Sequence, residues 1–163
     1  MNRKAGFEPV VDANTRLLIL GSLPGDASLR AAQYYGHPRN AFWRLIGGVI
    51  GRELSALPYE ERLAALKAAG VGLWDVIASA ERPGSLDAAI RRPEAADLRG
   101  LVASLPDLRA VAFNGGTAAR LGRAGRRQVD QGHSRYIRQY GPAHARPFAE
   151  KAAAWAQLSR SLG

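Results

Sequence analysis

Cysteine is absent from all 163 residues, which removes disulfides, thiolate zinc sites, cysteine nucleophiles and cysteine-held iron–sulfur clusters from consideration. Lysine is scarce: Lys4, Lys67 and Lys151 are three of 23 basic residues, so the remaining 20 (23 − 3) are arginine. Acids number only 14, leaving a formal net charge of +9, and a polyanionic partner is the natural expectation. Arginine's planar fork suits phosphate and base edges, although a GC-rich genome favours Arg and Ala codons without any such role. No apolar run approaches the roughly 18 residues a membrane helix needs, and the N-terminus lacks the uninterrupted apolar stretch of a secretory leader. The expected setting is therefore the cytoplasm, close to the nucleoid, with no membrane partner. The length is that of one ordinary domain, and a single domain over 1–163 is expected.

What is present is an alternation of short apolar runs with amphipathic stretches. RLLILG (16–21) reads as a strand buried on both faces of a parallel sheet. VGLWDVIAS (71–79), RAVAFNG (109–115) and SRYIRQYG (134–141) read as further strands. Helices are expected over 40–51 with Asn40 as cap, over 58–70 with Pro58 early and Gly70 as stop, and over 93–106, 115–125 and 147–162. Such alternation predicts a parallel sheet covered by helices, with the ligand beyond the carboxyl ends of the strands. The loops SLPGDASLRAAQYYGHPR, NGG and GPAHAR should then share one rim.

Two of these stretches carry chemistry. The GSLPG turn (21–25) lets backbone approach a ligand closely; it is neither a Walker A sequence nor a G-x-G-x-x-G, and a plain strand-to-loop turn is the alternative. YYGHPRNAFW (34–43) gathers rings, an imidazole and an amide, the equipment for holding an unstacked base. Phe42 and Trp43 lie at helical spacing with Leu45 and Ile46 and read as core, whereas Tyr34 and Tyr35 precede the helix and are placed on the rim. His37 suits an acid, a loop residue satisfying backbone, or a phosphate contact. Arg120, Arg123, Arg126, Arg127, Arg135, Arg138 and Arg146 face only Asp130 in their stretch, a patch for phosphate or a solvated basic face. Gly115, Gly116 and Thr117 open a helix whose free N–H groups suit a phosphate. Asp26, Asp75 and Asn114 fit water or base contacts, and fit caps or turns equally well.

GSLPGDASL followed by YYGHPRNAFW resembles the uracil-DNA glycosylase superfamily, specifically its hypoxanthine-DNA (deoxyinosine) glycosylase branch, and is also similar to the mismatch-specific uracil glycosylases. With the PAHA segment the likeness extends over most of the chain. The resemblance implies an α/β fold, a three-layer α/β/α sandwich with a short, mainly parallel central sheet. It also implies a monofunctional N-glycosyl hydrolase acting on DNA that contains deaminated bases, hypoxanthine foremost, as a monomer with no cofactor and no metal. Carried over by position, Asn40 is catalytic, Tyr35 stacks on the everted base, and Gly21, Ser22, Leu23 and Asn114 contact it. Gly141, Pro142 and His144 occupy the second motif, with His37, Arg138 and Arg146 on the DNA strand. The pattern departs at Leu23, where many branches place an Asp or Asn that handles water, and at YIRQYGPAHA, where relatives carry a Pro-Ser-rich run. A uracil or mismatch-specific glycosylase, an inactive relative that only binds nucleic acid, and a small-molecule nucleoside hydrolase are the alternatives.

Overall fold

Leu17–Gly21 is buried at every position, and the rest of the chain is laid around this strand. The computed structural model describes residues 3–122, the backbone of 138–140, and 147–163. Strand β1 (Arg3–Ala5) precedes β2 (Leu17–Gly21), α1 (Asp26–Ala31), α2 (Phe42–Ile50) and α3 (Tyr59–Ala68). Then come β3 (Val71–Asp75), β4 (Ile77–Glu81), β5 (Arg91–Ala95), α4 (Leu98–Ala103) and β6 (Ala110–Phe113). A helix over 116–122 (α5) follows, then β7 (Arg138–Tyr140) and α6 (Phe148–Ala156).

The central sheet runs β3-β2-β6-β7 and is parallel throughout. Side chains alternate across a strand, so β2 feeds two cores. Leu17 and Ile19 pack with Phe42, Trp43 and Ile46 of α2, Leu66 of α3 and Trp155 of α6. Leu18 and Leu20 pack on the other face with Leu98 and Val102 of α4 and Ala118 of α5. Helices thus cover both faces of a short parallel sheet, the α/β/α sandwich expected. Among the described residues no helix is long and apolar enough to cross a membrane.

Parallel register brings three strand ends to one edge. Gly21 pairs with Asp75, and Leu20 pairs with Phe113, the residue before Asn114. Gly70, at φ +85°, turns the chain from α3 into β3 through backbone space that a β-carbon disfavours.

The apolar run at 71–79 is not one strand. It breaks at Val76, whose N–H donates to the Gly21 carbonyl, and Ile77–Glu81 leaves to form a second, antiparallel sheet in the order β1-β4-β5. Both halves are apolar because both are covered, so composition hides the break. The helix expected from 93 starts only at Leu98, because Arg91–Ala95 is an exposed edge strand, a place where Pro93 is tolerated. Asp97 caps that helix, its Oδ1 accepting the Gly100 N–H at 3.0 Å. Asp97→Ala should cost about 1 kcal/mol, read as a shift in the denaturant midpoint at unchanged slope.

Candidate functional site

The GSLPG turn leaves β2 at the carboxyl edge of the sheet and is held from behind by the segment after β4. Ser22 Oγ donates to Asp87 Oδ1 at 2.8 Å. The Arg82 guanidinium, 2% exposed, donates to the Pro24 carbonyl and stands 3.4 Å from Asp87 Oδ1. The Asp26 N–H donates to Ser85 Oγ at 2.8 Å, and Lys4 Nζ donates to Asp26 Oδ1 at 2.6 Å, which holds that carboxyl below the ordinary carboxylate range. The carbonyls of Gly21 and Ser22 accept from Val76 and Ile77. Leu23 buries its side chain in the second core. With these carbonyls engaged, amide N–H donors are what the turn has to offer a ligand.

The two adjacent tyrosines part company. Tyr34 is no rim residue: it is 4% exposed, its hydroxyl donates to the Glu8 carbonyl at 2.9 Å, and its ring meets Phe7 edge-on. Burial pushes its hydroxyl pKa up. Tyr35 takes φ +53°, left-handed backbone that costs a non-glycine residue about 1 kcal/mol or more, and its ring is tilted 37° from that of Tyr34 with centroids 6.4 Å apart. The Tyr35 ring lies on Phe42 with centroids 3.8 Å apart and 19° between planes, while its carbonyl accepts from Trp43 Nε1 at 3.2 Å. Phe42 and Trp43 are core residues, as their spacing predicts.

Asn40 does not sit inside the helix. Its Oδ1 accepts the Phe42 N–H at 2.8 Å, so α2 begins two residues later than the sequence suggests. An N–H donor requires the carbonyl side of the amide to face it, which leaves the NH2 side for other work. Asn40 is exposed. So is His37, whose Nδ1 accepts the Arg39 N–H at 3.0 Å and closes the turn.

Tyr35 and Asn40 line one cleft of about 370 Å³, together with His37, Trp43, Arg44 and Arg62, a volume within the range of small-ligand sites. Arg44 lies 4.4 Å from the ring centroid of Phe148 and Arg62 5.3 Å from that of Trp43. Through its hydroxyl, Tyr35 also reaches the sheet edge: Asn114 Nδ2 donates to it at 3.3 Å. A β-carbon on Gly21 would fall 3.2 Å from that hydroxyl and 2.7 Å from Asp75 Oδ1, so the approach of these groups requires glycine there. Asp75 is 6% exposed. Burial first, then the Asp87 carboxylate, push its carboxyl up to about 7, with Arg82 pulling the other way.

Gly141, Pro142, His144 and Arg146 lie outside the described residues, as do Arg123, Arg126, Arg127 and Arg135; Arg138 begins β7. Among the described residues no three His, Asp or Glu side chains gather to hold a metal ion. The shell of Arg82 and Asp87 escapes a reading of the sequence because their partners are backbone and hydroxyl groups some 60 positions away. The sequence offers there only the turn-forming stretch ERPGS (81–85) after the apolar run at 71–79.

Over residues 8–159 the sequence matches the Uracil DNA glycosylase superfamily. The chain belongs to that superfamily and is a DNA glycosylase. Among its relatives is the hypoxanthine DNA glycosylase of Methanosarcina barkeri, 50% identical over 113 residues, which are 69% of this chain and 72% of that one. A hypoxanthine DNA glycosylase of Methanosarcina acetivorans is 50% identical over 112 residues, 69% of this chain and 71% of that one. A solution NMR structure from Methanosarcina acetivorans, described as that of a candidate uracil DNA glycosylase, superimposes with a TM-score of 0.82 at 40% identity, covering 99% of both chains.

Proposed function

We propose that this DNA glycosylase everts a deaminated base, with hypoxanthine preferred, and hydrolyses its N-glycosidic bond without cleaving the strand. The observation that carries this reading is the cleft lined by Tyr35 and Asn40, with the Tyr35 hydroxyl reaching Asn114 at the sheet edge; the two relatives named hypoxanthine DNA glycosylase support the choice of base. Tyr35, backed by Phe42, stacks on the base. N–H groups of Ser22 and Leu23, with the Asn114 amide, read its edge. The transition state builds oxocarbenium character on the sugar and negative charge on the departing base. Leu23 has no polar group for the attacking water, so that task falls to Asn40, whose NH2 hydrogens and second carbonyl lone pair position it. The net charge of +9, with His37, Arg138, Arg146 and the Gly141, Pro142, His144 segment, holds the strand. The enzyme works as a monomer on nucleoid DNA, with neither metal nor cofactor.

Duplexes carrying inosine, uracil, xanthine or a T:G mismatch, incubated with protein and then treated with alkali, test this. Strand breaks at inosine before any other substrate support it. A folded, DNA-bound protein that leaves every substrate intact is an inactive binder. Binding that ignores salt points instead to a small-molecule hydrolase, because phosphate contacts make affinity fall with ionic strength.

Tyr35→Ala should lower affinity for a duplex bearing uncleavable 2′-fluoro-deoxyinosine by about 1–3 kcal/mol, the cost of a lost base–aromatic stack. Tyr35→Phe, which keeps the ring and loses only the Asn114 hydrogen bond, should bind within about threefold of wild type. Fluorescence anisotropy reads both.

A further inference from the structure

Among the described residues, one oxygen of Asp75 has no partner that accounts for its place. Asp75 ends β3 directly opposite Gly21 of the ligand-facing turn, and it is almost wholly buried. Among the described residues its Oδ2 has no hydrogen-bond partner. A buried carboxylate in that condition is costly. The nearby cation relieves it only through space: Arg82 gives its Nη groups to the Pro24 carbonyl and to Asp87 and makes no hydrogen bond to Asp75, while its Nε is itself unpartnered among the described residues. Gly21 withholds a side chain from the same spot, so the carboxyl and the Tyr35 hydroxyl converge at the sheet edge where Asn114 also arrives.

Resting on the glycosylase reading above, we propose that Asp75 is a catalytic residue that meets the everted base in its proton-bearing form, Oδ2–H donating to the carbonyl oxygen that deamination has put in place of an amino group. During hydrolysis the C1′–N bond breaks with its electron pair passing to the base. Water gives its hydroxyl to C1′ and, through solvent, the proton that neutralises the base. Asp75 keeps its own proton and shares it in a hydrogen bond that strengthens as charge gathers on the leaving group. An ionised Asp75 would instead repel that charge. A donor at this point also opposes the N–H2 of an undamaged adenine or cytosine, which presents hydrogens where the deaminated base presents lone pairs.

The surroundings favour the protonated form. Burial acts first, Asp87 from the 3-10 turn after β4 repels a second negative charge, and Arg82 opposes them, while the hydroxyls of Tyr34 and Tyr35, from the loop before α2, feel the charge of the same carboxyl. The carboxyl's ordinary value is raised to about 7, so the donor is present below neutrality and is lost as pH rises through that point.

Single-turnover excision of hypoxanthine from inosine duplex, measured from about pH 6 to 9, tests the proposal. Wild type should slow about tenfold per pH unit on the alkaline side. Asp75→Asn, which keeps N–H donors at every pH, should show a flat profile whatever its plateau, and Asp75→Ala should be about tenfold or more slower at the acid end. The substrate's own lactam titrates equally in all three assays, so the difference between profiles is what counts. Circular dichroism melts confirm that each variant is folded. An Asp75→Asn profile with the same alkaline limb as wild type overturns the role of Asp75 and leaves the glycosylase reading intact. A wild type that excises no deaminated base at any pH overturns both.

Discussion

Asn40→Ala should lower single-turnover release of hypoxanthine about 10²- to 10³-fold, the usual effect of deleting one group that acts at the transition state, while affinity for an uncleavable inosine duplex stays within about threefold of wild type. Two tasks meet in this side chain. Its Oδ1 holds the Phe42 N–H at the start of α2, and losing that contact costs about 1 kcal/mol of stability. The residue also lines the cleft with Tyr35. Asn40→Asp separates them, because a carboxylate still accepts from Phe42 but has no hydrogens to give. The expected result is near-normal stability with a rate as low as that of the alanine variant. Wild-type turnover in the Asp variant would reduce Asn40 to a helix cap.

Phe42→Ala should destabilise the fold by about 3–5 kcal/mol, the range for a buried phenylalanine truncated in a packed core. The side chain is 1% exposed, lies flat on Tyr35, and meets Trp43 and Trp155 edge-on at 5.0 and 5.8 Å. For a chain of this length that corresponds to a fall in Tm of roughly 10 °C. The consequence for function follows from the same contact, since Tyr35 loses the surface that fixes its ring. Phe42→Leu, costing about 1.5 kcal/mol, leaves enough folded protein to measure this. Its affinity for the uncleavable inosine duplex should fall toward that of Tyr35→Ala. Unchanged affinity would mean that the ring is oriented by its backbone alone.

Much of the frame can be read in the chain because burial leaves a compositional trace. A strand covered on both faces is apolar at every position, as Leu17–Gly21 is; the helix from residue 42 shows its apolar stripe, and the helix from 59 shows its early proline, first-turn acids and glycine stop. The break at Val76 leaves no such trace, since the residues on each side are equally covered while belonging to different sheets. Nor can composition tell Tyr34 from Tyr35. Both rings meet the same core, Tyr34 wholly buried in it and Tyr35 partly buried against it, and the left-handed backbone angle at Tyr35 is not announced by the following Gly36.

The site divides in the same way. That Tyr35 and Asn40 share a cleft was legible because ring and amide stand five positions apart in one loop, and their spacing in sequence becomes nearness in space. Asp75, Arg82 and Asp87 come to the GSLPG turn from 50 or more positions away, through parallel pairing and through a second sheet that the apolar pattern conceals. Asp75 attracts notice in the sequence only as a polar residue in the middle of an apolar run, with nothing to mark it as the end of a strand.

Mass spectrometry of the products of one turnover on an inosine duplex tests the central claim most directly. Free hypoxanthine should appear in an amount equal to the enzyme-bound substrate, and the strand should stay whole until alkali is added. Inosine still joined to the DNA after prolonged incubation with folded, DNA-bound protein would contradict the account.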